Sequence, residues 1–290
     1  MKRHSLRWGL LPVAGLVCLS SAGQPVRDAA AETRVTPAFS TSLQVGHDRW
    51  LAVEHDPWTG RELNRDQGGL RTVAWQAGPT NRSGWLWQVA LAQSSGSVDY
   101  LGATQAGLPL SSHSDLLRQL GRVQVGHGWR SGGLEFALWA GIQRACTRRD
   151  IAATAISLRM TETLCDRSTV AEGELTWQPS PWPDAILALK LGAGRPQRQT
   201  LSVETWGVVD PFTLRPEGGQ QRTAELAWHQ QWSAQWRSTV AWQRWSQRYG
   251  SAPTVVIGRD QRPTGWASYP GSDQRSSGWR LGVEYLFDAP

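Results

Sequence analysis

Ten short segments of the chain alternate apolar and polar residues with a period of two. Successive side chains of a β-strand point to opposite faces, so each segment predicts a strand with one apolar and one polar face. The last segment shows this best, with Trp279, Leu281, Val283, Tyr285 and Phe287 at alternate positions. The predicted strands are 38–47, 70–77, 84–96, 116–129, 134–147, 168–178, 185–195, 221–232, 235–248 and 277–287.

The links between these segments alternate in length. Links two, four, six and eight are short, at 78–83, 130–133, 179–184 and 233–234, whereas the others span roughly 15 to 30 residues. A membrane barrel with an even number of strands has tight periplasmic turns and long outward loops. The pattern therefore predicts an all-β fold, a closed antiparallel transmembrane β-barrel of about ten strands, with both termini in the periplasm. Twelve strands remain an alternative if 150–163 forms an extra hairpin.

The N-terminus has the layout of a secretory signal peptide. Basic residues precede an apolar run from Trp8 to Leu19, and small residues follow. We predict a signal peptide at 1–31, with cleavage after Ala22 as the alternative, and a barrel at 32–290. No later apolar run reaches the roughly 18 residues of a membrane helix. These features favour the outer membrane of a Gram-negative bacterium.

Composition adds two constraints. The chain has 18 Trp but only 4 Phe and 4 Tyr, and indole rings prefer the membrane interface. Trp85, Trp129, Trp177, Trp182, Trp232 and Trp236 fall in or beside the short links and predict a girdle there. The net charge of +6 falls after signal removal, to 26 basic and 23 acidic residues, which argues against a nucleic-acid partner. The expected partners are outer-membrane lipid and, through the C-terminal strand, the barrel-assembly machinery.

The polar face of the predicted strands would line the lumen. A barrel of about ten strands is narrow enough for side chains to fill, so we expect a hydrogen-bonded ionic network there instead of a wide pore. A narrow channel is an alternative. The predicted network consists of Arg118, Arg122, Glu135, Glu172, Glu174, Lys190, Glu225, His229, Arg237, Arg280 and Glu284.

Two cysteines remain after signal removal, Cys146 and Cys165, at matching ends of the fifth and sixth predicted strands. An even pair in an exported chain predicts one disulfide, with 147–164 as a hairpin above the membrane.

Candidate chemistry lies in the first two long links. His55 and Asp56 occupy the first, and Asp99 and His113 the second, where a turn-rich, ordered loop is expected over 98–115. These four residues are weak catalytic candidates, because exposed His and Asp are commonly just solvated. No Walker, Rossmann, zinc or EF-hand motif is present, so no cofactor and no metal are predicted.

Segment 98–115 resembles a stretch of uncharacterised proteobacterial outer-membrane barrels. The predicted size, ten strands and five long loops resemble the omptin family of outer-membrane proteases across nearly the whole mature chain. Omptins carry two aspartates in one loop facing an Asp-x-His dyad in another. Here Asp99 stands alone, and Asp210 is followed by Pro211 and Phe212. That catalytic pattern is absent.

A structural or surface-binding role is therefore favoured over enzyme activity. An outer-membrane hydrolase, either omptin-like or lipid-modifying, and a narrow channel stay open as alternatives. The sequence does not identify a ligand.

Overall fold

The computed structural model describes residues 39–56, 59–80, 82–103, 109–155 and 157–287. The predicted signal peptide lies outside these residues. The strands are β1 (Phe39–His55), β2 (Glu62–Pro79), β3 (Gly84–Ala103), β4 (Pro109–Ser131), β5 (Leu134–Ile151), β6 (Met160–Trp177), β7 (Ala185–Glu204), β8 (Phe212–Leu214), β9 (Gly219–Gln231), β10 (Trp236–Tyr249), β11 (Ala252–Arg259), β12 (Arg262–Tyr269) and β13 (Ser272–Phe287).

Ten of these strands form one closed antiparallel barrel, which confirms the predicted fold. Their order is β1, β2, β3, β4, β5, β6, β7, β9, β10 and β13, and β13 pairs with β1 to close the ring. The register of that closing pair begins at Phe39 opposite Phe287, and the two rings stack 4.2 Å apart. Closure leaves no barrel edge whose backbone groups would lack partners in lipid. The remaining three strands belong to two links between barrel strands.

The two ends of the barrel differ. The turn end, where β1 begins and β13 ends, carries the links 80–83, 132–133, 178–184 and 232–235. The loop end carries the other five, of which 205–218 contains β8 and 250–271 contains the β11–β12 hairpin. The link 152–159 joins β5 directly to β6 at the loop end, so the segment near 150–163 adds no further crossing and the barrel has ten strands, not twelve.

The strands are longer than the sequence predicted. They extend toward the loop end by up to nine residues beyond the predicted boundaries, for example to Glu204 in β7 and to His55 in β1. The expected loop over 98–115 is mostly strand, since β3 continues to Ala103 and β4 starts at Pro109. The predicted strand boundaries lie where the alternation of apolar residues stops. Backbone pairing continues beyond that point, because neighbouring strands still satisfy each other's hydrogen bonds.

The outward face is apolar near the turn end. Leu43 is 51% exposed, Val125 57% and Leu281 59%. Exposed aliphatic side chains on the barrel strands form a continuous band suited to lipid. A tilted strand of about 9 to 11 residues is long enough to cross the hydrocarbon layer. The predicted tryptophan girdle also lies here, with Trp85 82% exposed and Trp182 60%.

The interior is filled by side chains in layers. Apolar clusters lie near the turn end (Leu86, Ala137, Trp139), at mid-height (Trp50, Ala52, Leu70, Val98, Leu116, Trp245) and at the loop end (Leu164, Leu201, Val203, Leu214, Tyr249, Ala252, Tyr269). Trp50, Trp139 and Trp245, which are not among the tryptophans predicted for the girdle, are buried inside. Each of these residues occupies a strand position whose side chain points into the lumen.

Among the described residues, no helix is long and apolar enough to cross a membrane.

Candidate functional site

The middle of the lumen is organised around Glu172 of β6. Its carboxylate accepts hydrogen bonds from Arg122 Nη1 at 2.5 Å, Gln124 Nε2 at 3.0 Å and Thr223 Oγ1 at 3.3 Å. These donors come from β4 and β9, on opposite sides of β6 in the ring, so the cluster crosses the lumen. A buried carboxylate needs such partners because desolvation of an unpaired charge costs several kcal/mol.

Glu174, two residues along the same inward face, organises the layer nearer the turn end. Arg82 Nη1 lies 3.0 Å from both carboxylate oxygens, Trp139 Nε1 donates at 3.0 Å, and Lys190 Nζ lies 3.8 Å away. Arg82 comes from the β2–β3 turn and reaches inward. Gly126 makes room for the Trp139 ring, since a Cβ there would lie 2.8 Å from it.

The other predicted lumen residues each have a contact with a neighbouring strand or turn. Arg237 pairs with Glu284 at 3.3 Å, Arg280 lies 3.9 Å from Asp48, Glu225 accepts from Gln243, Glu135 pairs with Arg130, and His229 Nδ1 lies 2.9 Å from Thr239 Oγ1. Arg118 differs, because its guanidinium carbon stacks 3.9 Å from the centre of the Trp245 ring. Each of these residues thus has at least one contact within the wall, although single atoms such as Arg237 Nε and Arg280 Nε have no hydrogen-bond partner among the described residues.

A second buried ionic cluster lies at the loop end, beyond the apolar band. Arg149 of β5 contacts three carboxylates: Glu54 at 3.4 Å, and Asp66 and Glu162 at shorter distances. Burial raises the pKa of Glu54 to about 7, against the lowering effect of Arg149, and Glu162 adds to the rise. Burial likewise raises the pKa of Asp66. One cation therefore holds three carboxylates together, with an excess of negative charge.

The weak catalytic candidates form two separate pairs. His113 Nδ1 lies 2.8 Å from Asp99 Oδ1, as a cross-strand pair of β3 and β4. Both side chains are exposed, at 77% and 61%, and they share the outward face of the wall with Leu91, away from the lumen. His55 Nε2 instead lies 3.7 Å from Asp273, and Asp56 lies in the β1–β2 link, where its side chain accepts the Thr59 amide at 2.8 Å.

The disulfide between Cys146 and Cys165 is present. The two residues are direct register partners of β5 and β6, with Cα atoms 4.1 Å apart, and they face outward. The strands continue beyond the bridge to Ile151 and Met160, which confirms the predicted hairpin.

Sequence reasoning missed several members of the buried clusters. Asp48, Asp66, Arg149 and Asp166 lie beyond the predicted ends of their strands, and Arg82 lies in a turn. Asp166 is buried and accepts hydrogen bonds from Tyr249 Oη at 2.9 Å and Gln247 Nε2 at 3.2 Å. Extending each alternation past the last apolar residue would have placed the first four on the inward face. The inward direction of the Arg82 side chain could not be predicted, because this residue lies in a turn outside the alternating segments.

No group of three or more metal-binding side chains occurs among the residues that the structure describes. The polar clusters are ion pairs and hydrogen bonds between protein groups.

A closed cylinder of strands with an apolar exterior and a polar interior defines the class: the protein is an outer-membrane β-barrel. Among solved structures, it is similar to the outer membrane protease OmpT from Escherichia coli, with a TM-score of 0.64 and 8% identity over 86% of this chain and 97% of that one. The omptin-like architecture is thereby confirmed. At this identity the likeness concerns the fold alone.

Two further outer-membrane structures match more loosely. These are OprG from Pseudomonas aeruginosa (TM-score 0.40, 8% identity, 88% of this chain and 99% of that one) and the translocator domain of autotransporter NalP from Neisseria meningitidis (0.41, 12%, 86% and 89%). Neither a protein-family model nor a curated protein matches the sequence.

Proposed function

We propose that this protein is a closed outer-membrane barrel with a structural and surface-binding role, and that its loop end faces the cell exterior. The single observation that carries the proposal is the filled lumen. Apolar clusters and the Glu172, Glu174 and Arg149 clusters occupy successive levels of the interior. A lumen filled with side chains favours a structural role over a role as a channel.

The β11–β12 hairpin is the candidate contact surface. Its turn at Asp260 and Gln261 has positive φ angles of 50° and 65°, typical of a tight hairpin turn. Val256 and Trp266 are register partners, 70% and 74% exposed. A large apolar pair on a projecting hairpin is typical of a binding site. Asp210 anchors the hairpin: its amide donates to Gly258 at 2.7 Å, and its carboxylate accepts the Gln261 amide at 3.1 Å.

Two measurements test this role. Purified barrel in a planar bilayer should give no conductance steps, and steps above baseline would instead favour the narrow channel. Bacteria displaying a Val256→Ser, Trp266→Ala double variant should adhere less to immobilised matrix proteins or to other cells than bacteria displaying the wild type. Leu158→Ser, at another exposed loop-end position, is the matched control. Equal adherence of all three would remove the hairpin from the proposal.

The proposed orientation is supported by arginines on the outer wall. Arg144, Arg167 and Arg198 are successive register partners across β5, β6 and β7, and all three are exposed. None of them has an ion-pair partner among the described side chains. Like charges directly opposite each other are destabilising, so this row is suited to an anion from outside the protein.

The surroundings of the row suit a lipid phosphate. The three arginines line an open groove of about 530 Å³, together with Gly121 and, on the side of the apolar band, Val123 and Ile142. Other exposed arginines follow the band on further strands: Arg49, Arg71, Arg195, Arg222, Arg244 and Arg275. Phosphates would meet the guanidinium groups while acyl chains cover the aliphatic residues, which supports a phosphate-bearing outer leaflet around the loop end.

The lipid partner has its own test. Replacing Arg144, Arg167 and Arg198 by Gln should reduce the phosphorylated lipid that co-purifies with the barrel, while the Arg248→Gln control, on a residue already paired with Asp273 at 2.9 Å, should leave it unchanged. Equal lipid retention by both variants would count against this orientation.

Export and assembly complete the proposal. We infer removal of 1–31 as a signal peptide, periplasmic termini and a Gram-negative host. These agree with a barrel whose first strand begins, and whose last strand ends, at the turn end. The apolar outward face of β13, which ends at Phe287, supports recognition of this strand by the barrel-assembly machinery.

A hydrolase is the second candidate, and the Asp99–His113 pair is the observation that favours it. A carboxylate that orients an imidazole is a common element of acid–base catalysis. The pair faces outward, however, and of the nearby serines Ser112 and Ser114 point inward and are buried. Purified barrel should therefore cleave neither peptide nor lipid substrates; a cleavage activity lost in His113→Ala but kept in His55→Ala would reverse this preference.

A further inference from the structure

The β11–β12 hairpin continues two neighbouring strands of the barrel. β10 and β13 pair with each other as far as Tyr249 and Ser272, and the chain between them runs out through β11 and returns through β12. The pairing stops at 250–251 and 270–271 and resumes where Ala252 lies opposite Tyr269. Because the ladder is interrupted on both strands at the same level, the hairpin can leave the direction of the barrel wall there.

The interruption has the residues of a hinge. Gly271 has a φ of 94°, which glycine adopts without steric cost. A Cβ at Gly250 would overlap the carbonyl oxygen of Glu217, so only glycine fits there. Hinges are a few residues at the ends of elements that absorb changes in φ and ψ. The hairpin can therefore change direction at this level while β10 and β13 stay paired.

The hairpin has a covered face and an exposed face. Val255, Ile257 and Ala267 are partly buried, whereas Val256 is 70% exposed and Trp266 74%. Alternate side chains of a strand point to opposite faces, which accounts for this division. Val255 packs against the apolar cluster at the loop end of the lumen. The covered face therefore lies toward the barrel, and the exposed face is the contact surface proposed above.

The base of the hairpin lies over the lumen. Tyr269 is 6% exposed and borders a cavity of about 20 Å³ that is otherwise lined by β1, β5, β6, β7 and β13, for example by Glu54, Arg149 and Leu201. A cavity lined from several sides of the ring lies inside the lumen, and Tyr269 closes it from the loop end. It has room for about one water molecule, so the hairpin fits closely over the mouth.

Beyond its base, the hairpin has few contacts. Of residues 252–269, only those at the two ends of the range are buried. The tip is joined to the 205–218 link by Asp210, whose amide donates to the Gly258 carbonyl at 2.7 Å and whose carboxylate accepts the Gln261 amide at 3.1 Å. Asp210 and Gln261 are exposed, so water competes for these bonds. A segment with few buried contacts and exposed hydrogen bonds opens at a low cost in free energy.

We propose that the β11–β12 hairpin is a hinged lid over the loop end of the lumen, and that Asp210 is its latch. The closed lid covers the apolar cluster and shields the Arg149 cluster from outside water. When the latch opens, the hairpin turns about 250–251 and 270–271 and uncovers Val203 on the inner face of β7, while the barrel strands stay paired. The lid depends on the covered face of the hairpin, so it does not rest on the surface-binding role of the exposed face.

The reactivity of a thiol beneath the lid is the test. Beyond residue 31 the chain has two cysteines, which are bridged, so a cysteine in place of Val203, a position 6% exposed, is the one free thiol. A charged methanethiosulfonate reagent should modify Val203→Cys slowly. Asp210→Ala should raise this rate about 10-fold, the effect of losing one hydrogen bond to a charged group. Asp260→Asn is the matched control, because Asp260 lies in the hairpin turn and its carboxylate is 3.9 Å from Arg259 of the same hairpin.

Two measurements distinguish a moving lid from fraying strands. Ser202→Cys, on the exposed side of the same strand, should react fast with or without Asp210→Ala. Backbone amides at 147–151 and 160–164 should keep their wild-type hydrogen-exchange rates in Asp210→Ala, because the lid opens without breaking strand pairs. Faster exchange at these amides would mean that the strand ends fray, which would contradict the lid.

Other outcomes also overturn the proposal. Equal reactivity of Val203→Cys and Ser202→Cys in the latched barrel would show that the hairpin covers nothing. A Val203→Cys rate that Asp210→Ala leaves unchanged, or that Asp260→Asn raises equally, would exclude the latch. If Val203→Cys does not fold, Ala252→Cys, at a position 8% exposed in the base of the hairpin, replaces it as the reporter with the same expected rates.

Discussion

Replacement of Arg149 by Gln should open the loop end of the barrel while the turn end stays closed. Among the described residues, Arg149 is the one cation that contacts Glu54, Asp66 and Glu162, whose side chains are 15%, 1% and 15% exposed. Without it, three carboxylates face each other in a space shielded from water. Their mutual repulsion and desolvation would no longer be offset.

The expected loss follows from this burial. Removing one partner of a buried ion pair costs about 3 to 5 kcal/mol. Glu54 and Glu162 retain some contact with water, so the lower end applies, and about 3 kcal/mol corresponds to a roughly 100-fold increase in the population of the open state. The loss should shrink in acid, where the carboxylates take up protons and the repulsion disappears.

Hydrogen exchange measured by mass spectrometry on the barrel in detergent micelles is the assay. Amides at 147–151 and 160–164 should exchange about 100-fold faster in Arg149→Gln, while those at 134–138 keep the wild-type rate. The neighbouring Arg148→Gln is the matched control, because Arg148 faces outward, is 52% exposed and, in the part of the chain that the structure describes, forms an ion pair with Asp150 alone. If both variants behave alike, or if the effect does not depend on pH, the electrostatic reasoning is wrong.

Three further predictions follow from the structure. The loop end of the wild type should become less stable as the pH rises from about 4.5 to about 7, because burial raises the pKa of Glu54 from 4.5 to about 7, so in this range the folded chain keeps a proton that the unfolded chain has lost; Glu54→Gln should flatten this dependence in the same exchange experiment. Replacing both Cys146 and Cys165 by Ser should lower the free energy of unfolding by about 3 kcal/mol in urea titration, from the lost constraint on a loop with a sequence separation of 19, and equal midpoints for wild type and variant would contradict the estimate. Glu174→Gln should weaken the hold on Arg82 and shift the fluorescence of Trp139, whose Nε1 donates to that carboxylate, whereas Glu135→Gln, next to the exposed Arg130, should leave the spectrum unchanged.

The sequence alone determined the barrel. Period-two alternation in segments such as Trp279–Phe287 fixed which residues face lipid, and the alternation of short and long links fixed the topology. These signals are local, because strand parity depends only on the position of a residue along its own strand. For the same reason the inward direction of Arg122, Glu172 and Glu174 could be predicted, whereas the disulfide was predicted from a pair of cysteines at matching strand ends of an exported chain.

Only the tertiary structure decided how far the strands extend and which inward residues meet. Asp66, Arg149 and Glu162 come from different strands, and their convergence depends on the register and closure of the barrel, which no single segment encodes. Beyond the lipid, the outer face is polar and the apolar–polar contrast that marks a strand disappears, so His113 and Asp99 read as loop residues although backbone pairing places them on the outer wall. Trp50 lies in an extension of β1 that the pattern did not reveal, so its inward direction became clear only from the structure, whereas Trp245 occupies an inward position of a strand that the sequence already predicted.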